Sequence, residues 1–218
     1  MTVKPDAPAR KEPVVFGPTI EALLLHGMKG RLDADARRRL KTLGVDVEQP
    51  FASAYPVPLW FDVIQVCSEV LHPNLPRDEA WYRVGLRLGE SFGDTLLGKA
   101  LYGVARVLGP RRMLARMARN LQTSSNYATA QTRELASGNI ELTVEVLPEF
   151  HAALGPHPGL DPHFMRGTLE TLLGMCGVRN ATCELQPSVP GRKRSFVFLI
   201  PLHEGKATFS ERKAPPVG

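Results

Sequence analysis

The chain is poor in cysteine, poor in aromatic residues and without a long apolar run. Cys67, Cys176 and Cys183 are the only cysteines in 218 residues. Three cannot all pair internally, and none stands at the close spacing of a zinc knuckle. A reduced, cytoplasmic setting is therefore the simpler expectation. The polar start "MTVKPDAPARKEP" has no apolar core of the kind a signal peptide carries. The longest apolar runs fall far short of the ~20 residues of a membrane span. Catalytic signatures are missing too. Ser124-Ser125 belongs to no Gly-x-Ser-x-Gly elbow, and there is no His-Glu-x-x-His and no dinucleotide fingerprint. These absences set the expectation that the chain is not an enzyme.

What is present suffices for a core. Hydrophobic residues make up 43% and charged residues 22%, which fits a folded chain of one sizeable core. The formal charge of +5 permits an acidic partner without requiring one; nucleic acid is not expected, since no aromatics interleave with the basic residues for base stacking. The ends, 1–13 and 204–218, are polar and proline-bearing and read as disordered tails. No low-complexity linker divides the rest, so 14–203 reads as one domain, with a helical part at about 18–122 and a sheet part at about 126–202.

Six helices are expected first. "PTIEALLLHG" starts at a proline and stops at Gly27. "DADARRRLKTLG" has Asp33 as N-cap and Gly44 just past its end. "VPLWFDVIQVCSEVLHP" repeats apolar residues at helical spacing, and "RDEAWYRVGLRLGESFG" follows it. "TLLGKALYGVARVLG" is expected to turn Leu96, Leu97, Ala100, Leu101, Val104 and Leu108 inward. Gly109-Pro110 breaks it from "RRMLARMARNL". The period then changes from helical to two. "NIELTVEVL" alternates strictly, as a half-buried strand does. Ser137-Gly138-Asn139 is a turn, which makes "YATAQTREL" its hairpin partner. "DPHFMRGTLETLLGMCG" reads as a helix. "RNATCELQP" and "KRSFVFLIPL" read as two strands about the turn "SVPGR", the first placing Arg179, Ala181, Cys183 and Leu185 on one face. The fold class is thus α+β: an N-terminal helical bundle packed on a four-stranded antiparallel sheet made of two hairpins joined by a helix.

The pieces "FGPTIEALL", "RRRLKTLGVDVEQPFASAYPVPLW", "LHPNLPRDEAWYRVGLRLGESFGDTLLGKAL", "LGPRRMLARMARNLQTSSNY" and "MRGTLETLLGMCGVRNATCEL", in that order, resemble a paralogous family of unknown function found in myxobacteria. The resemblance covers nearly all of 14–200. More distantly the arrangement is similar to a superfamily that contains heme-nitric-oxide-binding sensor domains, four-vinyl-reductase-type small-molecule domains and TRAPP trafficking subunits. That resemblance implies helices on a twisted antiparallel sheet, binding of heme, small apolar molecules or acyl chains, and homodimerisation through helices; the apolar first and third helices could supply the interface. It implies a sensor or adaptor and no chemistry.

Candidate sites follow. His151, His157 and His163 are six residues apart each time, with Gly155, Pro156, Pro158, Gly159 and Pro162 between them. That spacing makes a loop, not a metal-binding helical face, so no metal is expected. Heme is considered and rejected: the tyrosine-serine-arginine clamp that the resembling sensors use for the propionates has no counterpart, and Arg166 stands alone. Cys176 and Cys183 read as small buried hydrophobes. Gly85, Gly89 and Gly93 remove side chains from one helical stripe, for close packing of another helix or for a groove. Arg111, Arg112, Arg116 and Arg119 form either a solvated basic face or a patch for an anionic partner. Trp60, Phe61, Ile64, Trp81, Leu88 and Phe92, with Met165, Leu169 and Leu172 from the late helix, are expected to wall an apolar pocket or to be ordinary core. The expected function is that of a non-enzymatic ligand-binding or signalling domain. The alternative is a protein-interaction adaptor with a filled core.

Overall fold

The computed structural model describes residues 12–178, 180–187 and 194–202, and within the long fifth helix it leaves the side chains of Leu96, Leu97, Ala100 and Leu101, among others, outside the described set. The chain opens with a short strand β1 (Val14–Phe16), then α1 (Gly17–Glu21), which runs on as a π-helical stretch, Ala22–Gly27. The helices α2 (Ala34–Thr42), α3 (Val57–Leu71), α4 (Arg77–Asp94) and α5 (Leu96–Asn120) follow, with β2 (Ala54–Pro56) inserted before α3. The second half holds the hairpin β3 (Ala128–Glu134) and β4 (Ile140–Val146), a short α6 (His151–Leu154), α7 (Pro162–Met175), and the strands β5 (Glu184–Leu185) and β6 (Ser195–Ile200). The α+β class with one four-stranded antiparallel sheet is as expected; its order is β3-β4-β6-β5.

Local chemistry sets most of these bounds. Asp33 caps α2 by accepting the Ala36 N–H at 2.8 Å, and Gly44 takes a φ of +96° beyond its end, a conformation that favours glycine. Asp161 caps α7 in the same way, accepting the Phe164 N–H at 2.9 Å. Gly109, at φ 75° and ψ 167°, interrupts α5 just before Pro110, so its two halves are separate helices across a kink. In β4 the alternation is complete: Ile140, Leu142, Val144 and Val146 are buried and the residues between them half-buried. Each such aliphatic side chain contributes about 1.5–3 kcal/mol, so a one-residue slip against β3 would be prohibitive.

Several expectations change. The residues of β1 and β2, to which the sequence assigned no element, pair antiparallel as Val14↔Pro56 to Phe16↔Ala54. Pro13 is already buried, and its carbonyl accepts the Val57 N–H. The late strand "RNATCELQP" shrinks to the two residues of β5: Asn180 has a φ of 51°, which breaks extended pairing, and Leu185 is 38% exposed while Cys183 is buried. Val104 is 45% exposed rather than inward-facing. The turn "SVPGR", Arg179, and all of both tails except Glu12 and Pro13 lie outside the described residues. In α1 with its π-helical continuation and in α3, Ile20, Leu23, Leu24, Trp60 and Ile64 are buried within the chain, while Leu25 is 40% exposed.

The closest helix contact is α4 against α7, and it is made by backbone. A methyl group on Gly85 would overlap the Phe164 carbonyl, and one on Gly167 would overlap the Tyr82 carbonyl and lie 2.7 Å from the Leu86 nitrogen. At Gly89 it would lie 2.6 Å from Thr171 Cβ. Thr168 Oγ1 donates within this crossing to the Gly85 and Phe164 carbonyls, each at 3.2 Å, and Thr171 Oγ1 to the Leu86 carbonyl at 3.2 Å. Gly174, on the same helix α7, has open space where its Cβ would be. Gly85→Ala and Gly167→Ala are therefore each expected to lower unfolding stability by about 3 kcal/mol. Gly174→Ala should leave stability unchanged or raise it by up to about 1 kcal/mol. Urea titrations of the three variants check the contrast, and equal losses at all three positions would show that the crossing is not set by these contacts.

Candidate functional site

Beside this crossing lies a cavity of about 420 Å³. Trp60, Phe61 and Ile64 of α3 form one wall, Leu88, Gly89 and Phe92 of α4 a second, and Met165, Thr168, Leu169 and Leu172 of α7 a third. Met113, Met117 and Leu121 close it from the second half of α5 and the turn after it, and Tyr127 and Ala128 from the sheet. Of the nine residues expected around a pocket, eight line this cavity. Trp81 does not. It is buried behind Phe61, with ring centroids 5.3 Å apart, donates its Nε1–H to Gln65 at 2.9 Å, and carries the Arg77 guanidinium 4.0 Å above its ring.

The polar groups on the lining are few. Asp161 is buried, and its two oxygens are taken by the Phe164 N–H and by Arg77, 3.4 Å away. Ser124 Oγ donates to the Leu121 carbonyl. Tyr127 is 4% exposed and Ser125 6% exposed. Neither hydroxyl has a hydrogen-bond partner among the described residues, and both face the cavity. Burial pushes the Tyr127 phenol well above its ordinary pKa, so it is a donor and not a phenolate. Arg116 is the one cation among the described lining residues. The sequence reading missed Tyr127 and Ser125. The strand placed at 127–135 put Tyr127 at an entry position, but nothing in a local pattern tells which hydroxyl will lack a partner.

The other candidates separate in space. His151 Nε2 lies 3.1 Å from the Val146 carbonyl and starts the short helix α6 instead of lying in a loop. His157 Nδ1 accepts the Gly159 N–H at 3.0 Å and its ring stands edge-on to Phe61; burial lowers its pKa. His163 lies 3.4 Å from Asp78. Among the described residues no group of three or more His, Cys, Asp or Glu could hold a metal ion. Arg166 stacks on Tyr82, 4.3 Å from its centroid, away from the cavity. In the arginine cluster Arg111 pairs with Glu134, while Arg112, Arg116 and Arg119 are exposed. Gly85 and Gly89 sit in the helix crossing, and Gly93 is half-buried. Among the described residues no helix is long and apolar enough to cross a membrane.

Helices packed on a four-stranded antiparallel sheet are the fold that this chain shares with solved H-NOX proteins. An H-NOX protein from S. oneidensis in the Fe(II)NO ligation state matches with a TM-score of 0.58 at 11% identity, over 86% of this chain and 99% of that one. The Fe(II) unliganded H-NOX protein from K. algicida matches with a TM-score of 0.54 at 14% identity, over 85% and 95% of the two chains. Such a likeness concerns the fold. The chain itself belongs to the family described as protein of unknown function DUF2378, whose model matches residues 13–192. Among curated proteins no relative matches.

The donor set of the described lining residues does not fit heme. A heme iron is held by imidazole, thiolate, phenolate or a thioether paired with one of these. No histidine or cysteine is on the described lining, and the one phenol there is kept protonated by burial. Three thioethers, Met113, Met117 and Met165, remain, and these are weak ligands by themselves. The cysteines are equally unsuited to redox or nucleophilic work. Burial pushes the Cys67 and Cys183 thiols up to about 12 and raises Cys176 as well. Ellman's reagent near neutral pH should find no fast-reacting thiol in the folded protein and all three on unfolding. A rapid stoichiometric thiol in the native state would contradict the burial described.

Proposed function

We propose that the chain is a sensor-like domain without catalytic chemistry, and that it takes an apolar small molecule into the cavity between its helices and its sheet. The carrying observation is the cavity itself, about 420 Å³ walled by aromatic, aliphatic and methionine side chains. Ligand pockets begin at about 300 Å³ and are mostly apolar with a few placed polar groups. This one is partly open to solvent, and an apolar guest would take its apolar walls out of water. The fold shared with H-NOX proteins supports the reading, since one of them is solved in an Fe(II)NO ligation state.

Native mass spectrometry of the purified protein, set against its denatured mass, tests this directly. The expected result is a non-covalent adduct lost on denaturation, or one acquired from a library of apolar small molecules with a rise in melting temperature. Leu172→Trp, which grows a wall residue into the cavity, should abolish the adduct and keep the melting temperature of the ligand-free protein. Failure of every apolar compound to bind would remove the proposal.

A second reading has its own observation. Val107 is 86% exposed and Val104, one turn earlier on α5, 45% exposed. An exposed apolar pair at this spacing suits pairing with a second copy of the chain. Sedimentation should then give a dimer for the native chain and a monomer for Val107→Asp; a native monomer would dispose of it.

A further inference from the structure

We infer that the cavity selects an apolar acid: a molecule with a hydrocarbon body and one anionic oxygen group, such as a carboxylate, received by the Tyr127 and Ser125 hydroxyls together with Arg116. This rests on the proposed ligand-binding reading and names the chemistry of the ligand.

The first observation is the pair of hydroxyls. Among the described residues the one enclosed side-chain polar atom without a partner is Arg166 Nε, which is not on this lining; the Tyr127 and Ser125 oxygens stay open to water or to a guest's acceptor. Tyr127 and Ser125 are both more than nine-tenths buried and both line the cavity. Among the described residues neither hydroxyl has a partner; Tyr127 is raised in pKa by loss of water alone, with no hydrogen bond contributing. An oxygen acceptor on a guest is the partner they lack. The second observation is charge. Arg116 is on the same lining, is exposed and makes no ion pair among the described residues. The one carboxylate there, Asp161, is occupied by the Phe164 N–H and Arg77. A cationic guest meets no free carboxylate among the described lining residues, only hydroxyl oxygens. A guest whose polar group only accepts meets two hydroxyl donors and a guanidinium, and a carboxylate or sulfonate is such a group. The remaining walls are mostly apolar, with Met113, Met117 and Leu121 along one helical line and Thr19 and Thr168 among them.

Two fluorescent probes with the same rings separate the ideas: anilinonaphthalene sulfonate, which is anionic, and phenylnaphthylamine, which lacks the sulfonate. The native chain should bind the sulfonate at least about tenfold more tightly, the size of one or two charge-assisted hydrogen bonds. Tyr127→Phe and Arg116→Gln should each weaken the sulfonate about fivefold or more and leave the uncharged probe unchanged. Tyr127→Phe should not lower the melting temperature, because the hydroxyl it removes has no partner to lose. Equal binding of the two probes, equal loss of both in the variants, or a clear loss of stability in Tyr127→Phe would overturn this inference and leave the ligand-binding reading standing. Binding of neither probe, with Leu172→Trp making no difference, would remove both.

Discussion

The rest of the structure depends on the contact between the α4 and α7 backbones. Glycine at 85 and 167 removes the side chains that normally hold two helices apart, and each site is filled by the other helix's carbonyl. The two threonines of α7 then bond to carbonyls of α4. Helices usually pack with axes 8–10 Å apart, and small residues allow closer approach. Drawing α7 onto α4 swings its other side, with Met165, Leu169 and Leu172, toward α3 and the kinked α5. The cavity is what remains between helices whose spacing has been fixed on one side by backbone contact and on the other by the sheet.

The cavity walls and the histidines follow opposite rules. The walls are mostly apolar and come from helices α1, α3, α4, α5 and α7, strands β1 and β3 and the loops between them. The histidines lie close in sequence, yet each is engaged locally: one on a strand carbonyl, one on a glycine amide against Phe61, one on an aspartate at the start of α4. Sequence proximity in a loop rich in proline and glycine sends side chains in different directions, whereas positions eighty residues apart converge through the helix crossing. A fold shared with iron-bearing H-NOX proteins can therefore host a quite different donor set.

Much of this was legible beforehand, and the exceptions have physical reasons. The caps at Asp33 and Gly44, the break at Gly109-Pro110 and the alternation of β4 are local signals, and local signals survive folding. The strands β1 and β2 are three residues each, too short to display any period. β5 keeps only two residues, because its expected pairing needed extended backbone where Asn180 turns left-handed. Trp81 shares helical spacing with Leu88, but α4 is buried on more than one side, and spacing alone does not say which side faces the void. The unpartnered hydroxyls of Ser125 and Tyr127 are invisible to any pattern, since a missing partner is a property of the assembled interior.

A stripe of glycines four residues apart has an ambiguity built into it. Sliding one helix along the other by four residues, about 6 Å, would bring the next glycine into the same slot. The ends remove that freedom. Asp161 caps α7 with one oxygen and faces Arg77, in the first turn of α4, with the other, while Arg77 is itself stacked on Trp81. One carboxylate thus ties the starting turns of both helices together, and the depth at which Met165, Leu169 and Leu172 enter the interior is set from that end as well as from the glycine contacts.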